Sequence, residues 1–119
     1  MEWDIEVTDE FRAWYLGLAR RDEKAVAKVI EMLEQDGPAL GMPFSSSVRS
    51  SRHGNMRELR AQSGGNPLRM LYAFDPRRTA IILLGGDKTG DDRWYERNVP
   101  RADRLYDMHL KELREEGLI

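Results

Sequence analysis

Residues 79–84 read Thr-Ala-Ile-Ile-Leu-Leu, a short apolar run with no polar alternation. It is far below the roughly 20 residues a membrane helix needs. Asp75-Pro76 on one side and Gly85-Gly86 on the other bound it, so it reads as a strand. A strand apolar on both faces must be covered on both, which makes it a central strand. The rest of the chain therefore has to supply neighbouring strands and a layer on each side. Leu68–Asp75 (LRMLYAFD) puts Leu68, Met70, Tyr72 and Phe74 on one face and Arg69, Leu71 and Ala73 on the other. Asp75-Pro76-Arg77-Arg78 closes a hairpin between these two strands. Met56–Ala61 (MRELRA) is a third strand, with Leu59 on one side and Glu58 and Arg60 on the other, and Ser63-Gly64-Gly65-Asn66-Pro67 turns it into the next.

Cover comes from helices. Trp3–Val7 alternates apolar and acidic residues as a half-buried strand does. Thr8 then offers an N-cap, with Asp9 and Glu10 in the first turn, where carboxylates suit the helix dipole. Phe11, Trp14, Tyr15 and Leu18 fall on one helical face. A second helix is expected from near Asp22, with Val26, Val29, Ile30 and Leu33 on one face, and Gly37-Pro38 stops it. Residues 37–55 form a loop with room for an edge strand at Ser45-Ser46-Ser47. Gly85-Gly86-Asp87 is expected to leave the sheet, and Pro100 to open a last helix that buries Ala102, Leu105, Tyr106, His109, Leu110 and Leu113. The fold class is α+β: an N-terminal strand, a two-helix hairpin, an antiparallel meander and a C-terminal helix. The 119 residues make one domain, 1–119, large enough to bury about two-thirds of the unfolded surface.

Chemistry narrows by exclusion. The chain has no cysteine, which removes disulfides, thiolate metal sites and a cysteine nucleophile. His53 and His109 stand far apart in no ligand-spaced cluster, so no metal or other cofactor is expected, and His109 reads as a packed structural residue. The glycines at 85–90 lack the spacing of a nucleotide-binding loop. Met1-Glu2-Trp3-Asp4 is no secretion leader, and a cytoplasmic protein without membrane segments is expected.

Net charge is −2, but it is unevenly spread. Residues 49–104 carry 12 Lys and Arg against 7 Asp and Glu. From Arg49 to Arg78 there are seven arginines and His53 against Glu58 and Asp75. Local potential, not net charge, is what a phosphate backbone meets. Arg57, Arg60, Arg69, Lys88 and Arg93 lie at or near strand ends, with Trp94 and Tyr95 close by. Cations neutralise phosphate and aromatic rings stack unpaired bases, so this set suits RNA. It also suits cleavage by the RNA's own 2′-hydroxyl, which needs a proton acceptor, cations for the phosphorane and a proton donor. Arg69 is expected to project from the sheet without a core role. Tyr95 and His53 are candidates for proton transfer, with the phenol pKa lowered by Lys88. Glu58 is either a base or an ion-pair partner of Arg69.

Arg57-Glu58-Leu59-Arg60, the glycine turn, Leu68-Arg69-Met70-Leu71-Tyr72, Gly85-Gly86-Asp87-Lys88-Thr89-Gly90 and Arg93-Trp94-Tyr95 together resemble the RelE/ParE superfamily of bacterial toxins, closest to its phage-derived HigB-like branch. The resemblance spans residues 1–117 and implies the RelE-like microfold. It implies a type II toxin–antitoxin toxin that cuts mRNA on the ribosome as a metal-independent endoribonuclease, and a cognate antitoxin, expected to be of helix-turn-helix type. By the same resemblance Arg69, Lys88, Tyr95 and Arg60 are the catalytic candidates, and Arg57, Arg60, Arg69, Lys88 and Arg93 bind RNA. Met56 and Glu58 stand where RelE-like toxins carry lysines. Two other functions stay open: a ParE-like gyrase-binding inhibitor, and a non-catalytic antitoxin-binding protein of phage origin.

Overall fold

A computed structural model of the chain describes residues 2–119. The elements run β1 (Ile5–Val7), α1 (Asp9–Leu16), α2 (Arg20–Asp36), a 3-10 turn (Gly37–Ala39), β2 (Ser45–Ser47), β3 (Arg57–Ser63), β4 (Asn66–Phe74), β5 (Ala80–Asp87) and α3 (Trp94–Glu115). They form one sheet in the order β1-β5-β4-β3-β2. The three strands read as a meander are β3, β4 and β5, and the triple serine adds β2 at the edge, antiparallel to β3.

The sheet is not antiparallel throughout. β1 lies beside β5 in parallel, with Ile5 opposite Ala80 and Val7 opposite Ile82. The connection explains the direction. Hairpins force antiparallel pairing, whereas β1 leaves through two helices that carry the chain over one face before it re-enters at the opposite edge.

Both faces are covered, as the apolar run at 79–84 requires. On one side Phe11 of α1 and Val26, Val29 and Leu33 of α2 pack on Leu59, Leu68, Met70, Tyr72 and Ile82. On the other, Trp94, Val99, Ala102 and Tyr106 of α3 pack on Leu71, Ala73, Ile81 and Leu83. Thr8 caps α1, accepting from the Phe11 N–H at 3.0 Å. Its hydroxyl also donates to the Leu83 carbonyl at 2.6 Å, pinning the helix start to β5.

The turn expected over 63–67 narrows to Gly64-Gly65, with Ser63 closing β3 and Asn66 opening β4, because both residues pair across the hairpin. Two further boundaries differ from expectation, and both matter for the site. β5 continues through Gly85, Gly86 and Asp87 instead of leaving the sheet. The glycines are needed there for space. A Cβ on Gly85 would lie 2.4 Å from the Trp14 ring, and one on Gly86 would lie 2.6 Å from Trp94 Nε1. α3 starts at Trp94, ahead of Pro100, which sits exposed inside the helix. Proline removes one backbone donor, but burial of Trp94 and Val99 on the sheet holds the turns before it. Tyr95 therefore belongs to the first turn of α3.

The far end of α3 is anchored by His109, whose Nε2 lies 2.8 Å from Asp75 Oδ2. Asp75 also accepts from Arg77 and from the backbone N–H of Arg77 and Thr79. His109 is thus the packed structural residue expected. Among the described residues no helix is long and apolar enough to cross a membrane.

Candidate functional site

The two-residue turn Gly64-Gly65 has positive φ at both positions, 57° and 84°. That conformation matches the twist of a tight hairpin and fixes the register of its strands. Arg60 and Arg69 are equidistant from the turn, so they face each other across β3 and β4. Gly86 of β5 is opposite Arg69 on the other side. Like charges directly opposite on neighbouring strands destabilise a sheet. Glu58, also on this face, lies between them, with Oε1 3.7 Å from the Nε of each arginine.

Arg69 is buried, at 6% exposed, so it does not project freely from the sheet as expected. The opposite face of β4 is apolar, but this face is roofed by the first turn of α3 and by Glu58. Arg69 donates to the Leu68 carbonyl at 3.0 Å. Its Nε, and that of Arg60, are buried without a hydrogen-bond partner among the described residues. Buried guanidinium donors left unpaired are costly. Two of them, opposed across a ladder, are poor stability devices and a ready receptor for an anion.

Tyr95 completes the cluster. Its hydroxyl donates to Glu58 Oε1 at 3.1 Å, and Lys88 Nζ lies 5.6 Å from the ring centroid. Trp94, fixed over Gly86, meets the Tyr95 ring edge-on at 5.2 Å. The expectation that Lys88 lowers the Tyr95 phenol pKa is corrected. Burial pushes that pKa up, the Glu58 carboxylate that it hydrogen-bonds pushes it further, and Arg69 offsets only part. Tyr95 is a protonated donor at neutral pH.

Arg60, Arg69 and Lys88 open together onto a cavity of about 550 Å³ that also takes in Lys28 of α2. Among the described residues no Asp or Glu lines it. The remaining predicted residues are placed elsewhere. Arg57 is on the opposite face of β3, bonded to Ser45 Oγ and Ser47 Oγ, each at 3.1 Å. His53 is held by Asp107, 2.8 Å away, and by the Tyr106 ring. Arg93 is exposed just ahead of α3, on the turn next to Tyr95. Sequence reasoning missed Lys28 entirely, since nothing in its helical context distinguishes it from a solvated lysine. The facing of Arg60 and Arg69, by contrast, was available from the spacing around Gly64-Gly65.

A family model described as phage-derived protein Gp49-like matches residues 13–107. Among curated relatives, a Mycobacterium tuberculosis protein carrying the toxin name HigB2 is 44% identical over 110 residues, covering 91% of this chain and 54% of its own length. The chain thus spans about half of that relative. A second protein of the same organism, carrying the toxin name HigB3, is 47% identical over 92 residues, covering 76% of this chain and 79% of its own length. Two solved structures share the fold. The archaeal RelE-RelB complex from Pyrococcus horikoshii has a TM-score of 0.55 at 16% identity, covering 74% of this chain and 97% of the matched chain. A free-state mutant of the E. coli toxin RelE has a TM-score of 0.59 at 10% identity, covering 81% and 94%.

Proposed function

Because the chain belongs to the phage-derived Gp49-like family, in the HigB-like branch of the RelE superfamily, we propose that it is the toxin of a toxin–antitoxin pair. Its activity is endonucleolytic cleavage of mRNA on the ribosome, and a cognate antitoxin of helix-turn-helix type neutralises it. The observation that carries the proposal is the cavity lined by Lys28, Arg60, Arg69 and Lys88, with no carboxylate in its lining among the described residues. Unpaired buried donors on two of the arginines are what an incoming phosphate would satisfy.

The chemistry follows from the residues. The RNA 2′-hydroxyl attacks the adjacent phosphorus, its proton passing to Glu58, which flanks the cavity beside Arg60 and Arg69 without being part of its lining. A P–O2′ bond forms and negative charge grows on the non-bridging oxygens, where Arg60, Arg69 and Lys88 hold it. The P–O5′ bond then breaks, and Tyr95, protonated and held by Glu58, supplies the proton to the leaving oxygen. The products are a 2′,3′-cyclic phosphate and a 5′-hydroxyl.

A non-catalytic antitoxin-binding role has one observation in its favour. The buried Glu58–Arg69 pair already occupies the arginine that a phosphate needs. The test is purified protein added to ribosomes programmed with a defined mRNA. Cleavage leaving a 5′-hydroxyl, abolished by 2′-methoxy substitution at the cut position, is the expected result. Products bearing a 5′-phosphate, or cleavage of the 2′-methoxy message, would exclude the mechanism. No cleavage in this assay by protein that still binds its antitoxin would favour the non-catalytic role.

A further inference from the structure

The cationic cavity has a second half that phosphate alone does not explain. Beyond Arg60 and Lys28, its wall is apolar: Val29 and Met32 of α2, Pro43, and Phe44 just ahead of β2. Phe44 is 38% exposed, a large aromatic kept partly in water beside four cations. It is held firmly at the backbone, because its carbonyl accepts from the Arg60 N–H at 2.8 Å. The backbone that carries the ring is therefore fixed relative to the backbone of Arg60. Gln62, exposed on β3, lines the same cavity and carries both an amide donor and an amide acceptor.

We propose that this apolar half is a nucleobase shelf: an unstacked base next to the phosphate at Arg60 and Arg69 lies against Phe44 and Met32, with Gln62 facing its hydrogen-bonding edge. The proposal rests on the RNA-cleaving role above and adds to it where the flanking base goes and what reads it. The volume, about 550 Å³, lies in the range of ligand pockets that take a whole small molecule. An apolar platform flanked by cations with no acid in the lining fits a nucleotide better than an acidic peptide, whose carboxylates have no use for the platform. Stacking on an aromatic side chain tolerates any base, because every base has a π-face. Preference among bases then falls to Gln62.

The experiment measures binding of a 2′-methoxy trinucleotide, which stays intact, against the same trinucleotide with one abasic position, by NMR titration of the full chain. With the wild type, the intact oligonucleotide is expected to bind about tenfold more tightly than the abasic one, the scale of one base–aromatic stack. In Phe44→Ala that ratio falls to near one while the affinity of the abasic oligonucleotide is unchanged, and Phe44→Trp restores it. The ring is partly exposed and its backbone bond is kept, so these variants retain the fold, which the same spectra report. Equal binding of intact and abasic oligonucleotides to the wild type would overturn the shelf and leave the cleaving role standing. Equal weakening of both by Phe44→Ala would do the same. Binding of neither oligonucleotide would overturn the shelf, while the cleaving role, which acts on the ribosome, stands or falls on its own assay.

Discussion

Arg69 carries two incompatible demands. Buried beside Glu58 it is part of the packing, yet among the described residues its Nε lacks a hydrogen-bond partner, and the residue borders the cavity. Arg69→Ala is therefore expected to remove activity and also to cost about 2–3 kcal/mol, since Glu58 keeps only Arg60 as its nearby cation. Urea denaturation measures this, and a loss below about 0.5 kcal/mol would mean that Arg69 is effectively solvated. Tyr95→Phe separates chemistry from packing. It removes the proton donor but keeps the ring over which Lys88 sits, so stability is expected to fall by about 1.5–3 kcal/mol, the loss of one hydrogen bond to a buried carboxylate, while cleavage falls at least tenfold. With its pKa raised, Tyr95 stays protonated past the ordinary phenol value near 10, so the wild-type rate should not decline between about pH 7 and 9 through this group. A decline there that Tyr95→Phe abolishes would contradict the assignment. The residue identities were legible in the sequence, where arginines, Lys88 and Tyr95 stand near strand ends. Burial was not, because an arginine on a strand face opposite an apolar set looks exposed until the roof is known. That roof is the early start of α3, hidden by Pro100.

At the scale of elements, the strand pattern was the most legible part. Alternation at 68–74 gives the faces of β4, and uniform apolarity at 79–84 marks β5 as an interior strand covered on both sides, as the cores and the strand order have it. Strand direction at β1 was not legible, because Ile5-Glu6-Val7 has the same alternation in either orientation. The clamp that ties α3 to the β4–β5 turn also needed the structure. Burial pushes the Asp75 carboxyl up, but hydrogen bonds from Arg77, His109 and the Thr79 backbone outweigh it and hold its pKa below the ordinary value. A depressed carboxyl stabilises the fold fully above the unfolded pKa, about 3.9, and that contribution fades as pH falls through the lower folded value. Stability measured by urea is thus expected to drop from pH 5 to pH 3. Asp75→Asn should be less stable at pH 5 and show a shallower drop. An equal drop in the variant would assign the acid sensitivity to other carboxylates.

For the whole molecule, an acidic chain of net charge −2 presents a cavity with four cations and, among the described residues, no acid in its lining. Binding of single-stranded RNA should then follow the cavity and not the net charge. If all four cations meet phosphates, log K against log salt has a slope of about −3, and Lys28→Ala reduces its magnitude by about 0.7. Lys28 is exposed on α2 and its loss leaves the core untouched. A slope near zero would place RNA elsewhere.

The most direct measurement of the central claim is brief induction of the protein in living bacteria followed by genome-wide mapping of RNA 5′ ends by end chemistry. New 5′-hydroxyl ends inside translated messages are predicted within minutes for the wild type and for Arg57→Ala, whose side chain is bonded to Ser45 and Ser47 and is not part of the cavity lining among the described residues. They are predicted to be absent for Lys88→Ala. Growth arrest with no new 5′-hydroxyl ends, or ends that persist undiminished in Lys88→Ala, would contradict it.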